Sequence, residues 1–93
     1  MIRGARDRRV IALMAGRLPK GFPADLAKRA RVVLAQLDAA GALDDMRIPP
    51  GTRLELLRGD RAGQCSVRIN DQWRLCLTWR DGDAHEVESV DDH

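Results

Sequence analysis

The stretch Cys65–Trp79, CSVRINDQWRLCLTW, contains two runs in which apolar residues alternate with other residues, separated by the polar triplet Asn70–Gln72. Alternation with a period of two is the pattern of a β-strand that buries one of its faces. A short turn rich in Asn and Asp between two such runs predicts an antiparallel hairpin. One face of this hairpin is therefore expected to lie in the core, and it carries Val67, Ile69, Leu75 and Leu77.

The same alternation predicts where the two arginines of the hairpin lie. Arg68 and Arg74 must share the face that points away from the core. The turn Leu57–Gly63, LRGDRAG, can bring Arg58 and Arg61 to the edge of that face. Guanidinium groups bind phosphate well, so a nucleic acid is one candidate for the anion that compensates these charges. The other candidate is an internal carboxylate, from Glu55, Asp60 or Asp71.

Two helices are expected upstream of the strands, after a short strand at Ile2. Asp7 can cap the first helix, and Gly16 can end it. The second helix is expected between Pro23 and Gly41. Its apolar residues recur at helical spacing, at Leu26, Ala30, Val33, Leu34 and Leu37.

Alternation also predicts a strand on each side of the hairpin. One contains Leu54 and Leu56, and the other runs over Ala84–Val90 after the turn RDGD. Short turns between successive strands favour an antiparallel meander. The expected fold class is α+β, with two N-terminal helices packed on a small antiparallel β-sheet, and residues 1–93 are expected to form a single domain.

The bulk properties exclude several classes of protein. The net charge is only +2, but basic residues concentrate before Leu37, whereas the chain after Asp81 is acidic. Charged residues interrupt the first apolar run too soon for a signal or membrane helix, so we expect a cytoplasmic protein with no membrane partner. Cys65 and Cys76 lack the spacing of a zinc site and fall on opposite strand faces, which predicts free thiols, no metal and no cofactor.

Three motifs resemble those of a known family. The run LRGDRAGQCSVRINDQWRLCLTWRDGDAHEVESVDDH at 57–93, with PPGTRLELL at 49–57 and LAQLDAA at 34–40, resembles the HigB toxins of the RelE/ParE superfamily. The resemblance implies a RelE-like fold and a ribosome-dependent mRNA endoribonuclease that needs no metal. It also implies a HigA-like helix-turn-helix antitoxin, which holds the toxin inactive and through which the complex binds operator DNA.

The resemblance implies roles for four arginines. Arg58 and Arg74 match family residues that hold the scissile phosphate and its developing charge. Arg61 and Arg68 would be supporting contacts to the RNA. Arginine does not exchange protons near neutral pH, so the proton transfers of RNA cleavage need a histidine or a carboxylate such as Glu55.

The C-terminal stretch VESVDDH has two interpretations from its residues alone, a frayed tail and a strand that brings acid–base groups to the sheet border. The resemblance favours the second, because Asp91 and His93 match the outer residues of a family motif, D-Y-H, that supplies base stacking and proton transfer. Asp92 takes the place of the tyrosine at the RNA-binding rim. An aspartate cannot stack on a base, and its charge opposes RNA binding. Weak activity, a different proton-transfer residue and loss of activity are therefore all open.

Two rival functions share the expected fold. One is a non-catalytic, ParE-like inhibitor of DNA gyrase, which would need no terminal histidine. The other is a toxin of decayed activity that is kept as an antitoxin-binding co-repressor.

Overall fold

The computed structural model describes residues 1–47 and 53–91, and its elements follow the order expected from the sequence. Two α-helices come first, α1 over Arg8–Met14 and α2 over Ala24–Ala39. The strands that follow in the described residues are β1 Glu55–Leu56, β2 Cys65–Arg68, β3 Trp73–Arg80 and β4 Asp83–Asp91. They form one antiparallel sheet in the order β1-β2-β3-β4, and the helices pack on one face of it. The α+β fold predicted from the sequence is confirmed.

The two hairpins depend on turn residues of the expected kinds. Between β2 and β3, Asn70 Oδ1 accepts hydrogen bonds from the backbone N–H groups of Gln72 and Trp73, at 2.8 and 2.7 Å. Between β3 and β4, Asp81 and Gly82 have φ angles of 55° and 80°, as the central residues of a type I′ hairpin turn require. The core position of the predicted apolar face is confirmed for Val67, Ile69, Leu75 and Leu77.

Each helix buries the apolar face that its sequence predicts. In α1, Val10 and Leu13 are buried, and Asp7 Oδ1 caps the helix by accepting a hydrogen bond from Val10 N at 2.8 Å. Gly16, just past α1, has a φ of 80°, a conformation that glycine adopts without strain. The buried residues of α2 recur at helical spacing and are Leu26, Ala27, Ala30, Val33, Leu34 and Leu37.

Asp7 also fastens the start of α1 to the sheet. Its second oxygen, Oδ2, accepts hydrogen bonds from the N–H and the hydroxyl of Ser89 in β4, at 2.9 and 2.7 Å. Ser89 is 82 positions away in the sequence and nearly fully buried. One carboxylate therefore satisfies a helix end and two donors of the last strand.

The N-terminal segment pairs with the outer edge of β4 in the parallel direction. Ile2 is bridged to Ala84, and Ala5 is bridged to Val87. Gly4 O accepts a hydrogen bond from Val87 N at 3.0 Å. The short strand expected at Ile2 is therefore a pair of isolated bridges, which cover backbone groups of an edge strand that would otherwise be open to unwanted pairing.

Asp83 holds this segment by charge. Its carboxylate lies 3.1 Å from Arg3 Nε and 3.2 Å from the N-terminal amine. These hydrogen bonds, the one from Arg3 first, lower the pKa of Asp83 below its usual value. A carboxylate with a depressed pKa stabilises the fold above the pKa of the unfolded chain, and that contribution is lost as the pH falls through the folded pKa.

The Asp83→Asn variant is therefore expected to melt at a lower temperature than the parent at pH 7. The difference should shrink as the pH falls below about 4, where an unperturbed aspartate takes up its proton. Thermal melts followed by circular dichroism from pH 7 to pH 3 test this. Asp60→Asn, which removes an exposed carboxylate without an ion pair in the described residues, is the control. Equal acid dependence in both variants would contradict the prediction.

Candidate nucleic-acid interface

The face of the sheet turned away from the helices, here called the outer face, has a buried centre. The strand register places Glu55, Ser66, Cys76 and Glu88 in one row across β1 to β4. Ser66 is 0% exposed and Cys76 is 5% exposed, although neither belongs to the core cluster under the helices. Long charged side chains therefore cover the middle of this face, and the sequence pattern did not predict that.

Arg68 and Arg74 are directly opposite each other in the register of β2 and β3. Like charges at such a position repel, and each arginine has a carboxylate partner. Arg68 forms an ion pair with Asp71 of the β2–β3 turn. Arg74 Nη1 lies 3.4 Å from Glu55 Oε2 and donates to Ser66 Oγ at 3.3 Å. Two of the three internal carboxylates considered from the sequence are therefore partners of these arginines.

Arg61 reaches over the sheet from the short 3₁₀ turn Gly59–Arg61. Its Nη1 donates to Glu88 Oε1 at 2.6 Å and to Gln64 Oε1 at 3.0 Å. The hydrogen bond to Glu88 raises the pKa of Arg61 above its ordinary value. Arg61 is therefore part of the outer face, as predicted, but it is held there by a residue of β4 that the sequence reasoning missed.

Glu88 had a detectable sequence signal. It lies two residues before Val90 in a strand with alternating faces, so its side chain belongs with that of Val90 on one side of β4. The register pairs Val90 with Arg74 and Glu88 with Cys76. Alternation along β4 is enough to place Glu88 and Val90 on the same face. Identifying the residue of β3 that lies opposite Glu88 requires the strand register.

Arg58 and Asp91 are the remaining predicted site residues in the described part of the chain. Arg58 precedes the 3₁₀ turn and is exposed, and no carboxylate of the described chain lies within ion-pair distance of it. Asp91 ends β4 opposite Trp73, and its Oδ2 accepts a hydrogen bond from Gln72 Nε2 at 3.4 Å. By alternation Asp91 is on the Trp73 side of the sheet, so the register does not bring it beside Arg74.

Asp92 and His93 lie outside the described residues, so their predicted places at the RNA-binding and catalytic rim stay predictions. The described part of the chain ends one residue after the Arg74–Val90 pair. The site that the structure does describe therefore consists of Arg61, Arg68 and Arg74 with their acidic partners.

The two cysteines are free thiols on opposite sides of the sheet, as predicted. Cys65 lies in the core and pairs with Leu77 in the register, while Cys76 pairs with Ser66 on the outer face. Burial, with a smaller contribution from Cys76, raises the pKa of the Cys65 thiol to about 11. A thiol with so high a pKa is a poor nucleophile near neutral pH.

In the described ranges, 1–47 and 53–91, no three His, Cys, Asp or Glu side chains are grouped as ligands for a metal ion. Neither helix in this part of the chain has the length and apolar content needed to span a bilayer.

The geometry defines a class of protein, a RelE-like α+β fold whose outer sheet face carries arginines paired with carboxylates. A chain of the YoeB–YefM complex from Staphylococcus aureus has the same fold, with a TM-score of 0.63 and 20% identity over 100% of this chain and 98% of that one. The family model described as RelE-like toxin of type II toxin–antitoxin system HigB matches residues 15–93. The chain therefore belongs to the HigB-like toxin family, and the resemblance noted in its motifs is confirmed.

A curated relative supports the same family. The protein Toxin HigB-1 of Vibrio cholerae serotype O1 (strain ATCC 39315 / El Tor Inaba N16961) is 56% identical over 48 residues. That match spans 52% of this chain and 50% of the relative. The chain thus aligns with about half of the length of the curated relative.

Proposed function

We propose that this protein is the toxin of a type II toxin–antitoxin system and acts as a ribosome-dependent, metal-independent mRNA endoribonuclease. Cleavage of mRNA would stop translation and growth in the cytoplasm. A HigA-like helix-turn-helix antitoxin neutralises the toxin and carries the complex to operator DNA. Family membership supports the toxin assignment, and the outer face supports RNA as the target.

The observation that carries the proposal is the pair Arg68 and Arg74, which lie opposite each other on the outer face, with Arg61 reaching over it. A phosphate is the natural third charge for two adjacent guanidinium groups, because each can donate two parallel hydrogen bonds. The half-exposed Glu55 is a weak competitor for Arg74, since ion pairs at the surface contribute little net free energy. An RNA phosphate can therefore replace Glu55 as the partner of Arg74.

Metal-independent cleavage of RNA joins the 2′-oxygen to phosphorus and breaks the bond to the 5′-oxygen of the next nucleotide. A base must take the proton of the 2′-hydroxyl, and an acid must protonate the leaving 5′-oxygen. Arg74 and Arg58 would stabilise the charge that builds up on the phosphorane oxygens.

The proton transfers are assigned to a carboxylate beside Arg74 and to the C-terminal residues of the family motif. Glu55 is a candidate base, because its carboxylate already lies beside Arg74 and is partly open to solvent. His93, with Asp91, is the candidate acid on the strength of the family motif. Asp92, at the RNA-binding rim, lacks the stacking ring of the motif and should make the parent enzyme slow.

The test is induced expression of the parent, Glu55→Gln and His93→Ala without the antitoxin, with growth and new RNA 5′ ends as readouts. The parent should produce new ends inside translated codons, and a reporter mRNA without a start codon should stay intact. Removing a general acid or base should lower cleavage by roughly 100-fold or more.

Other outcomes would identify the rival functions. Growth arrest with intact mRNA, together with gyrase inhibition that survives His93→Ala, would overturn the nuclease proposal in favour of a gyrase inhibitor. Unaffected growth would contradict an active toxin, and restoration of toxicity by Asp92→Tyr would then identify a decayed site.

A further inference from the structure

Helix α1 exposes large apolar side chains on the side that does not touch the sheet. Ile11 is 50% exposed, and Leu18, four residues past the end of the helix, is 56% exposed. Exposed apolar residues that adjoin one another mark interaction sites, whereas single ones are ordinary. The α1 surface is defined as Ile11, Met14 and Leu18 together with the basic residues Arg8, Arg17 and Lys20.

The α1 surface is concave. A cleft of about 440 Å³ is lined by both apolar and basic residues. Its apolar lining, Ile11, Ala12, Leu18 and Pro19, is here called the floor, and Arg8, Arg17 and Lys20 of its basic lining are called the rim. This volume lies in the range of roughly 300–1,000 Å³ that is common for binding pockets. The cleft has room for apolar side chains of a partner, with cations placed around them.

The cations of the α1 surface have no acidic partners. No carboxylate in residues 1–47 and 53–91 lies within ion-pair distance of Arg8, Arg17 or Lys20. Asp7, the acidic residue next to α1 in the sequence, is bonded to Val10 and to Ser89 instead. The arginines of the outer face differ, because three of them have carboxylate partners within the chain.

From this we infer that the α1 surface is the docking site of an acidic, amphipathic segment of the antitoxin. Apolar side chains of that segment fill the cleft against Ile11 and Leu18. Its carboxylates pair with Arg8, Arg17 and Lys20. The partner's identity rests on the proposed function, whereas the chemistry of the occupant rests on the apolar floor and the unpaired cations.

The same features argue against two other occupants. A nucleic acid backbone would pair with the cations, but its phosphates would leave the apolar floor without a contact. A second copy of this chain in a two-fold symmetric contact would bring like-charged rims together, and such contacts are unfavourable. An acidic amphipathic segment can place apolar side chains against the floor and carboxylates beside the cations of the rim.

The α1 surface lies on the side of the molecule opposite the outer face. Helix α1 packs its buried residues Val10 and Leu13 into the core on the helix-covered side of the sheet. A segment bound to the far side of α1 therefore does not touch Arg74. The bound antitoxin would keep the toxin out of the ribosome by steric hindrance, without covering the RNA-binding residues.

The experiment is a calorimetric titration of the purified chain with the proposed HigA-like antitoxin, which the family resemblance implies is encoded by the neighbouring gene. Ile11→Glu puts a carboxylate on the apolar floor and should weaken binding at least about 30-fold, the loss expected at an interface hot spot. Val32→Glu changes an apolar residue of α2 that is 44% exposed, and it should bind like the parent. The affinity of the parent should also fall as salt rises, because opposite charges meet at the rim.

Circular dichroism melts check that each variant is folded, and Ile11→Ser replaces Ile11→Glu if the latter is not. Equal affinity of parent and Ile11→Glu would overturn the inference, as would a neighbouring protein that does not bind the parent. The inference would also be overturned if Ile11→Glu lost ribosome binding but kept its affinity for the antitoxin. It would likewise be overturned if the parent formed a dimer and Ile11→Glu dissociated it. RNA cleavage is measured separately. If the parent did not cleave RNA but Ile11→Glu still lost antitoxin binding, the nuclease proposal would be refuted and the proposed docking site would be supported.

Discussion

Replacing Arg74 with alanine is expected to lower the rate of mRNA cleavage by roughly 100- to 1,000-fold, the usual cost of removing one donor that stabilises transition-state charge. Arg74 lies near the middle of the sheet, opposite Arg68 in β2, and Ser66 and Glu55 orient its guanidinium. A side chain held in this way meets the phosphate with little further loss of freedom. Cleavage of a defined mRNA on purified ribosomes measures the rate.

Two further variants sharpen this prediction. Arg80→Ala removes an arginine from the same strand, and its parity with Arg74 puts it on the same face about 20 Å away. It should cleave like the parent. Arg74→Lys keeps the charge but loses the planar, two-pronged donor, so an intermediate rate is expected. If Arg74→Ala and Arg80→Ala had equal rates, Arg74 would have no role at the scissile phosphate.

The largest effect on stability is expected from Asp7→Ala. This substitution removes the cap of α1, which typically costs about 0.5–2 kcal/mol. It also leaves the buried N–H and hydroxyl of Ser89 without their acceptor, at about 1–3 kcal/mol. The combined loss of about 1.5–5 kcal/mol should lower the melting temperature by roughly 6–40 °C for a domain of this size. Chemical and thermal unfolding followed by circular dichroism measure both quantities.

Asp7→Asn separates the contributions of shape and charge. The amide keeps one acceptor oxygen, which can serve the helix cap or Ser89 but not both, so the stability of this variant should lie between those of the parent and Asp7→Ala. Ser89→Ala removes only the hydroxyl donor and should also be mild, because the buried polar group is deleted together with its bond. A melting temperature of Asp7→Ala within a few degrees of the parent would contradict the structural role assigned to Asp7.

The hairpin of β2 and β3 was predictable because its information is local. Alternation in Cys65–Trp79 identifies the buried face, and the polar turn Asn70–Gln72 specifies an antiparallel return. The shared face of Arg68 and Arg74 follows from those two features, and the structure confirms it. The capping of α1 by Asp7 was predictable for the same reason.

The last strand shows where local pattern stops being sufficient. Ala84 and Val87 are both fully buried, although residues three apart in a regular strand face opposite sides. Glu86 adopts a φ of 54°, and the register shifts between Cys76 and Thr78. A β-bulge there inserts one residue and returns Val87 to the core side. The sequence contains no turn residue at Glu86 that would signal this irregularity.

The candidate site was also predictable only in the part that depends on local sequence pattern. The arginines of the outer face were predicted because strand parity groups them, and the choice of Glu55 and Asp71 among the internal carboxylates followed from the structure. Glu88 was missed because its contact with Arg61 spans 27 residues. Such a contact depends on the strand register and on the reach of a side chain across two strands.

By itself the sequence determined the α+β class, the faces of the helices and strands, and the motifs of the HigB-like family. These follow from periodicity and turn chemistry, which act over a few residues. Only the tertiary structure decided that Glu88 holds Arg61, that Asp7 joins α1 to Ser89, and that Arg8, Arg17 and Lys20 have no acidic partners in the described chain. Those facts depend on which distant charges meet once the core has packed, because ion pairs and hydrogen bonds require contact distances that no local pattern encodes.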